Sequence, residues 1–295
     1  MEYTYDQVAT ALDVYLGGTP GATIDLTHIK GGYMTVMAGL DPRTRPLRSH
    51  QWSFLRPLAS LTFWAEATGT MTISGTGNTT VTDSTNSPFF NSMIGATITA
   101  DTSETTYTIS AYTSASVVTV TADASADTGD TFTITPDGIY DPPSGFAGLI
   151  EMPVYAYDAT YPNTCEIEEA TPETIYRMWR GSSATGYTYR VALIPASFTS
   201  TVGQKWKFIV APVPSYTFAT KLRMVQDISD PATGDYFLGG HITSQAIMDA
   251  ALAHAERVTR GTVGIMAEAA KESMCSAIDA DKQLARSNEA VQMVT

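Results

Sequence analysis

Between Thr68 and Thr135 the sequence alternates apolar residues with threonine, and this alternation constrains the fold more than any other feature. Six segments carry the pattern, separated by Gly, Asn, Asp and Ser: TMTIS, TTVT, ATITA, TYTIS, VVTVT and TFTIT. Successive side chains of a strand point to opposite faces, so a period of two predicts strands with one buried face. The residues expected to point inward are Met71, Ile73, Val81, Ile98, Tyr107, Ile109, Val118, Val120, Phe132 and Ile134.

We therefore expect a self-contained β-domain at residues 68–136, a small sandwich or barrel of immunoglobulin-like type. It would be inserted into a helical host domain of residues 1–67 and 137–295. Apolar spacing and capping residues predict helices at 4–16, 26–40, 171–179, 243–258 and 262–284. Three longer strands, 187–195, 204–214 and 217–228, are expected to form a meander, with Trp52 and Trp206 as core anchors. The expected fold class is thus α+β.

Charge is unevenly distributed along the chain. No Lys or Arg occurs between Arg56 and Arg177, whereas 15 of the 30 acidic residues fall in that interval. Such a surface repels a phosphate backbone, so sequence-specific binding of nucleic acid is not expected there; simple solubility is the alternative reason for the charge. No long apolar run predicts a membrane span, and no export signal is recognisable. The two cysteines, Cys165 and Cys275, are expected to be reduced thiols of a protein made in the cytoplasm.

The motifs that could carry chemistry all favour structural roles. GTGNTT, residues 75–80, lacks the third glycine of a dinucleotide fingerprint and is typical of a turn. The four histidines, His28, His50, His241 and His254, have no metal-binding spacing. The acidic run EIEEATPE, residues 166–173, leads into a helix N-terminus, where acids are favoured by the helix dipole. We expect no catalysis, no cofactor and no metal.

Three stretches resemble the head-to-tail adaptor (connector or neck) proteins of tailed bacteriophages. The first, Ile29–Phe63, is similar to an early helix followed by a Trp-Ser-Phe-Leu element. The second, Gly203–Pro231, is similar to a Trp-containing strand, a Pro-x-Pro turn and a second strand. The third, Gly234–Glu256, resembles a Leu-Gly-Gly-His turn that leads into an alanine-rich helix. The Thr/Gly-rich module also resembles β-insertions of some such adaptors.

This resemblance implies a structural virion protein at the head–tail junction, assembled in the host cytoplasm. It would form a homo-oligomeric ring, commonly of twelve subunits, between the portal protein and a downstream neck or tail protein. DNA would pass through the ring during ejection as cargo, and no membrane would be involved. The alternative is a virion or cell-surface binding module whose β-domain binds a carbohydrate or a receptor.

Two sets of residues are expected to serve the adaptor function. The C-terminal tail after Leu284 is polar but ends in apolar residues, and adaptors of this kind reach their portal with C-terminal segments. We expect portal docking by Leu284, Val291, Met293 and Val294. Acids of the base-free segment are expected to face the DNA passage: Glu104, Asp123, Asp127 and Asp130.

Overall fold

The computed structural model describes residues 2–18, 22–75, 77–155, 167–181, 185–199, 203–261 and 263–292, and only the backbone of 22–25, 181, 199 and 286–292. The fold is mostly β, with 34% strand and 32% helix. The expected α+β fold, a helical host with a short meander and an immunoglobulin-like insertion, is therefore wrong. The chain divides into two compact units, residues 1–57 with 225–295 (the helical unit) and residues 58–224 (the β unit).

The described ranges form five α-helices and eighteen strands. The helices are α1 (Tyr5–Leu16), α2 (Ala22–Met37), α3 (Pro172–Gly181), α4 (Ser244–Arg260) and α5 (Ile265–Gln292). The first strands are β1 (Leu40–Asp41), β2 (Arg48–Ser49), β3 (Leu58–Phe63), β4 (Ala67–Thr70), β5 (Thr72–Ser74), β6 (Thr80–Thr82), β7 (Thr97–Ala100), β8 (Thr106–Ser114) and β9 (Val117–Val120). The others are β10 (Thr131–Ile134), β11 (Ile139–Tyr140), β12 (Phe146–Tyr155), β13 (Glu168–Glu169), β14 (Thr185–Gly186), β15 (Arg190–Thr199), β16 (Gly203–Ala211), β17 (Val213–Pro214) and β18 (Phe218–Gln226).

The helical unit is built from α1, α2, α4 and α5 around one apolar core. α1 begins at a capping box, in which Thr4 accepts from the Gln7 backbone and the Gln7 side chain accepts from the Thr4 backbone. It ends at Gly17, whose left-handed backbone (φ 77°) suits a residue without a Cβ. Trp52 is buried in this core, as predicted, and its indole N–H donates to the Val36 carbonyl at 2.9 Å.

Seven strands of the β unit form one antiparallel sheet that nearly closes into a barrel. The strand order is β4-β10-β7-β8-β9-β6-β5, so the two edge strands are consecutive in the sequence. They are separated only by Met71, which is fully buried. Residues before Met71 pair with β10 and residues after it pair with β6, so one predicted strand serves both edges of the sheet.

This pairing is why the immunoglobulin-like description is wrong: one continuous sheet curls upon itself, whereas a sandwich needs two sheets. The inward-facing residues are nevertheless those that the alternation predicts. Nine of the ten are buried, and Ile73 is half-buried. The segment enters and leaves at one place, because Ala67 and Ile134 are paired across β4 and β10. The status of 68–136 as a separate domain stays a prediction.

The predicted meander is also wrong, because its third strand belongs to another sheet. β15 and β16 pair in the sheet β11-β16-β15-β13, whereas β18 lies between β12 and β3. Pro212 and Pro214 lie between β16 and β18 and lack the N–H groups that would continue the ladder. Trp206 lies in the N-terminal half of β16, before the buried residues Phe208–Ala211, and is only half-buried. Its prediction as a core anchor is therefore wrong.

A buried aromatic cluster joins the seven-stranded sheet to the other strands of the β unit. Trp64, which the sequence analysis did not single out, is fully buried and donates its indole N–H to the Ser92 carbonyl at 3.3 Å. The Tyr140 hydroxyl donates to the Trp64 carbonyl at 2.9 Å, and the Tyr140 ring packs against Phe63. The barrel-like sheet and its neighbours therefore share one core.

Candidate functional site

A concave surface of the helical unit lies beside a close contact between α2 and α4. A Cβ on Gly32 would lie 2.4 Å from the Ala251 backbone nitrogen, and a Cβ on Gly31 would lie 2.7 Å from the His254 ring. Only glycine permits this approach, because real side chains do not come so close. The two glycines, which disfavour helix by propensity, are therefore explained by packing.

An apolar cleft of about 300 Å³ lies between α2, α4 and α5. Its lining residues are mostly aliphatic or small: Thr35, Val36, Leu40, Pro42, Ala250, Ala253, His254, Arg257, Val263, Ala267, Ala270, Lys271 and Met274. Val263 is 74% exposed and Leu40 is 45% exposed. An apolar cleft open to solvent is typical of a surface that a partner covers.

The charges at this cleft are basic. Lys271 pairs with Glu268 at 2.5 Å on the same helix. Within the described part of the chain, Arg257 has no carboxylate within ion-pair distance. A free guanidinium beside apolar side chains favours an apolar segment that carries a carboxylate.

Two histidines meet where α2 and α4 touch, beside the cleft. The Nδ1 atoms of His28 and His254 are 3.0 Å apart, so one ring donates and the other accepts. Burial lowers the pKa of His28, and the neighbouring His254 lowers it further. Burial and then the charge of Arg257 lower the pKa of His254. Both rings are therefore neutral near pH 7.

A second polar cluster joins the segment after β2 to α5. Asp281 is 1% exposed; it accepts from the Ser53 hydroxyl at 2.5 Å and the Ser53 N–H at 3.0 Å, and it lies 2.8 Å from His50 Nε2. A nucleophilic serine needs the imidazole as its base, with the carboxylate behind it. Here the carboxylate lies between the other two groups, so the arrangement fastens the segment to α5 and does not activate the serine.

The four acids expected to face a DNA passage lie in turns of the barrel-like sheet. Asp123 is exposed, and its pKa is lowered by hydrogen bonds from Ser125. Asp130 is half-buried, and its pKa is lowered chiefly by its hydrogen bond from Thr102. Asp127 is buried and accepts from the Tyr107 hydroxyl, so it does not belong to an exposed acidic surface. Glu104 is exposed in a tight turn with φ 56°.

The C-terminal residues are placed differently from expectation. α5 continues to Gln292, so the predicted helix end near Leu284 is wrong, and residues 285–292 are helical rather than extended. Leu284 is 44% exposed on this helix. The side chain of Val291 and all of Met293 and Val294 lie outside the described residues.

The other motifs take the structural roles that the sequence indicates. Of GTGNTT, Gly75, Gly77 and Asn78 have left-handed backbones between the paired strands β5 and β6, and Thr76 lies outside the described residues. Thr171 caps α3, and Glu173 lies in its first turn. Cys165 and Glu166 lie outside the described residues, and Cys275 is a half-buried free thiol.

Sequence reasoning did not find the cleft, the histidine pair or the Asp281 cluster. Each of these joins residues more than 200 positions apart, so no local spacing reveals it. The one available signal was the combination of Gly31-Gly32 with the alanines of α4, which favours close helix packing.

Among the described residues, no group of three or more His, Cys, Asp or Glu side chains is placed to hold a metal ion. No described helix has the length and apolar character needed to cross a bilayer. The sequence matches no protein-family model and no curated protein.

Proposed function

We propose that the chain is a structural subunit of a tailed-bacteriophage virion, which forms a ring between the portal of the head and the next neck or tail protein. The observation that carries the proposal is the open apolar cleft between α2, α4 and α5. Such a surface in a protein built to assemble is covered by a neighbouring subunit. The resemblance to adaptors implies about twelve copies per ring.

The resembling stretches support this proposal by where they lie. Ile29–Phe63 contains most of α2, and Gly234–Glu256 contains most of α4, the two helices whose glycine–alanine contact forms one side of the cleft. The Leu-Gly-Gly-His turn leads directly into α4, with left-handed backbones at Gly239 and Gly240. Two of the three stretches that carry the resemblance thus contribute residues to the surface proposed for assembly.

The seven-stranded sheet has a charge suited to a DNA passage. Residues 67–134 contain six acidic and no basic residues, and Glu104 and Asp123 are exposed. Like charge lowers the adhesion of a polyanion, so this module would let DNA pass without binding it. The aromatic residues Tyr107, Phe89 and Phe132 are buried in its core and are not available for sugar stacking, whereas Phe90 and Tyr112 are half-buried.

Electron microscopy of the negatively stained protein, alone and mixed with assembled portal, tests this function. We expect the protein to form rings, and in the mixture these rings should lie coaxially on the portal. A chain truncated after Leu284 should still form rings but lose portal attachment, since we propose that the segment after Leu284 docks there; its control is removal of Thr295 alone, which is not among the proposed docking residues. A monomer that ignores the portal and binds glycans would instead support the alternative, a carbohydrate- or receptor-binding module.

A further inference from the structure

A pocket in the β unit is lined by side chains from four separate segments of the chain. Its volume is about 200 Å³, far more than one water needs. It lies between β3, the 3₁₀ turn Asn91–Met93, β8 and the residues that follow β11, all within the β unit. The side chains that decide its chemistry are Ser60, Phe90, Asn91, Tyr112 and Asp141.

The frame of this pocket is held by buried hydrogen bonds. Ser92 donates its hydroxyl to the Thr62 carbonyl at 2.7 Å, and Trp64 donates its indole N–H to the Ser92 carbonyl at 3.3 Å. These bonds join β3 to the 3₁₀ turn and use none of the five side chains named above. The pocket is therefore preformed, which lowers the cost of binding a small molecule.

Asp141 is a half-buried carboxylate that is short of hydrogen-bond donors. Within the described part of the chain, Lys207 is the cation at ion-pair distance, with Nζ 3.4 Å from Oδ1, and no backbone N–H donates to the carboxylate. Burial raises the pKa of Asp141, and Lys207 offsets this only in part. Asp83 in the same unit gives the contrast: it accepts from three backbone N–H groups, and its pKa is lowered despite burial. A hydroxyl donor at Asp141 would therefore be favourable.

The other side chains supply neutral hydrogen-bonding groups and an apolar face. The Asn91 amide and the Tyr112 hydroxyl make no hydrogen bond to any described residue, and both line the pocket. The Ser60 hydroxyl accepts from Lys221 Nζ at 2.5 Å and keeps its own hydrogen to donate. Phe90 and Tyr112 are half-buried, so part of each ring is accessible.

Charge and hydrogen-bonding capacity together favour a neutral ligand that carries several hydroxyls. Among the described lining residues only Asp141 is charged, and Lys207 balances it. An anion would meet this carboxylate, and a cation would compete with Lys207 for it. Adjacent hydroxyls can donate to a carboxylate and exchange hydrogen bonds with an amide, while a C–H face packs on aromatic rings. The pyranose form of a sugar has both features.

We propose that this pocket binds a neutral pyranose, free or at the end of a glycan. Asp141 and Asn91 hold adjacent ring hydroxyls, and Phe90 and Tyr112 pack against the C–H face of the sugar. The site lies within one subunit, so binding does not require assembly. It is a second function beside the proposed structural one and does not depend on it.

Saturation-transfer NMR of the full-length protein with the methyl glycosides of glucose, galactose, mannose and N-acetylglucosamine tests the site. We expect at least one of them to bind with millimolar affinity. Asn91→Ala and Tyr112→Phe should each weaken this binding about twofold to tenfold, as expected for the loss of one hydrogen bond. The double variant should weaken it further. The matched control is Tyr176→Phe, at a position 43% exposed in the same unit, which should bind as the parent does.

Both test variants should fold normally, because neither removes a hydrogen bond within the described part of the chain, and an unchanged urea midpoint checks this. A disaccharide that ends in the same ring distinguishes the two sources of ligand. Equal or tighter binding of the disaccharide assigns the pocket to the end of a glycan, and weaker binding assigns it to a free sugar. No saturation transfer to any of these glycosides, or test variants that bind as tightly as the parent, would overturn the proposal.

Discussion

His28 and His254 face each other across the α2–α4 contact, and the charges near them decide how the helical unit responds to acid. The two Nδ1 atoms lie 3.0 Å apart and share one proton, so the Nδ1 atom of at least one ring must be unprotonated. Protonation of both rings would place two positive charges together beside Arg257. Burial and these neighbouring charges therefore disfavour protonation of the pair in the folded helical unit.

The pH dependence of stability follows from the direction of the two pKa shifts. Burial lowers both pKa values below the ordinary value of 6.5, so the unfolded chain binds more protons than the folded chain between the two values. We expect the free energy of unfolding to be highest above about pH 6.5 and to fall as the pH drops towards the lowered pKa values. Urea melts from pH 8 to pH 5 measure this.

The double variant His28→Asn/His254→Gln keeps polar groups at both positions and removes the titration. Its free energy of unfolding should be nearly flat between pH 7 and pH 5.5, where carboxylates contribute little. His241→Gln, a change at an exposed position, is the matched control. Its free energy of unfolding should depend on pH as that of the parent does. Equal slopes for the double variant and the parent would show that the pair does not set the acid response.

At the scale of elements, the α2–α4 contact is the feature on which the cleft depends. Gly32→Ala gains about 1 kcal/mol of helix propensity but places a methyl group 2.4 Å from the Ala251 backbone nitrogen. The Ala251 backbone cannot move aside as a side chain can. Overpacking should therefore lower the free energy of unfolding by about 1–3 kcal/mol, which is more than the gain in helix propensity.

Urea denaturation compares Gly32→Ala with Gly18→Ala. A Cβ on Gly18 meets nothing within 4 Å, so the control should change the free energy of unfolding by less than about 0.5 kcal/mol. We expect Gly32→Ala to have a lower midpoint with the same slope. A Gly32→Ala protein as stable as the parent would mean that the two helices are not held this closely.

Local pattern predicted individual elements well but not their partners. The threonine alternation predicted the strands and the inward set, and the predicted helix 4–16 agrees closely with α1. Pairing across the chain could not be derived from pattern, so the sheet that nearly closes at Met71 and the transfer of β18 to another sheet were missed. The end of α5 was placed too early, because a polar surface turn and a helix end look alike in sequence.

The same limit applies to the candidate site. The sequence indicates which kinds of residue take part, since the glycines of α2 and the alanines of α4 favour close helix packing. Their meeting with α5, and the position of Arg257 beside an open apolar surface, depend on tertiary contacts. Trp206 shows that a local pattern can also predict too much burial. Its apolar neighbours predicted a buried side chain, but it lies in the N-terminal half of β16 and is half-buried.

At the scale of the whole molecule, the two units combine an apolar, locally basic cleft with an acidic, base-free sheet. A head-to-tail contact between copies must either close into a ring or grow into a filament. An adaptor requires closure at a fixed number of subunits. The proposed function therefore requires that this chain forms a closed assembly.

The mass of the assembled protein in solution tests closure most directly. Mass photometry over rising protein concentrations, with and without purified portal, should show one discrete species at a fixed multiple of 31.6 kDa, near twelve subunits, that does not grow further. With portal, we expect one such ring to be added to each portal assembly. A particle that stays at 31.6 kDa under every condition, or a ladder that lengthens without limit as the concentration rises, would contradict the claim.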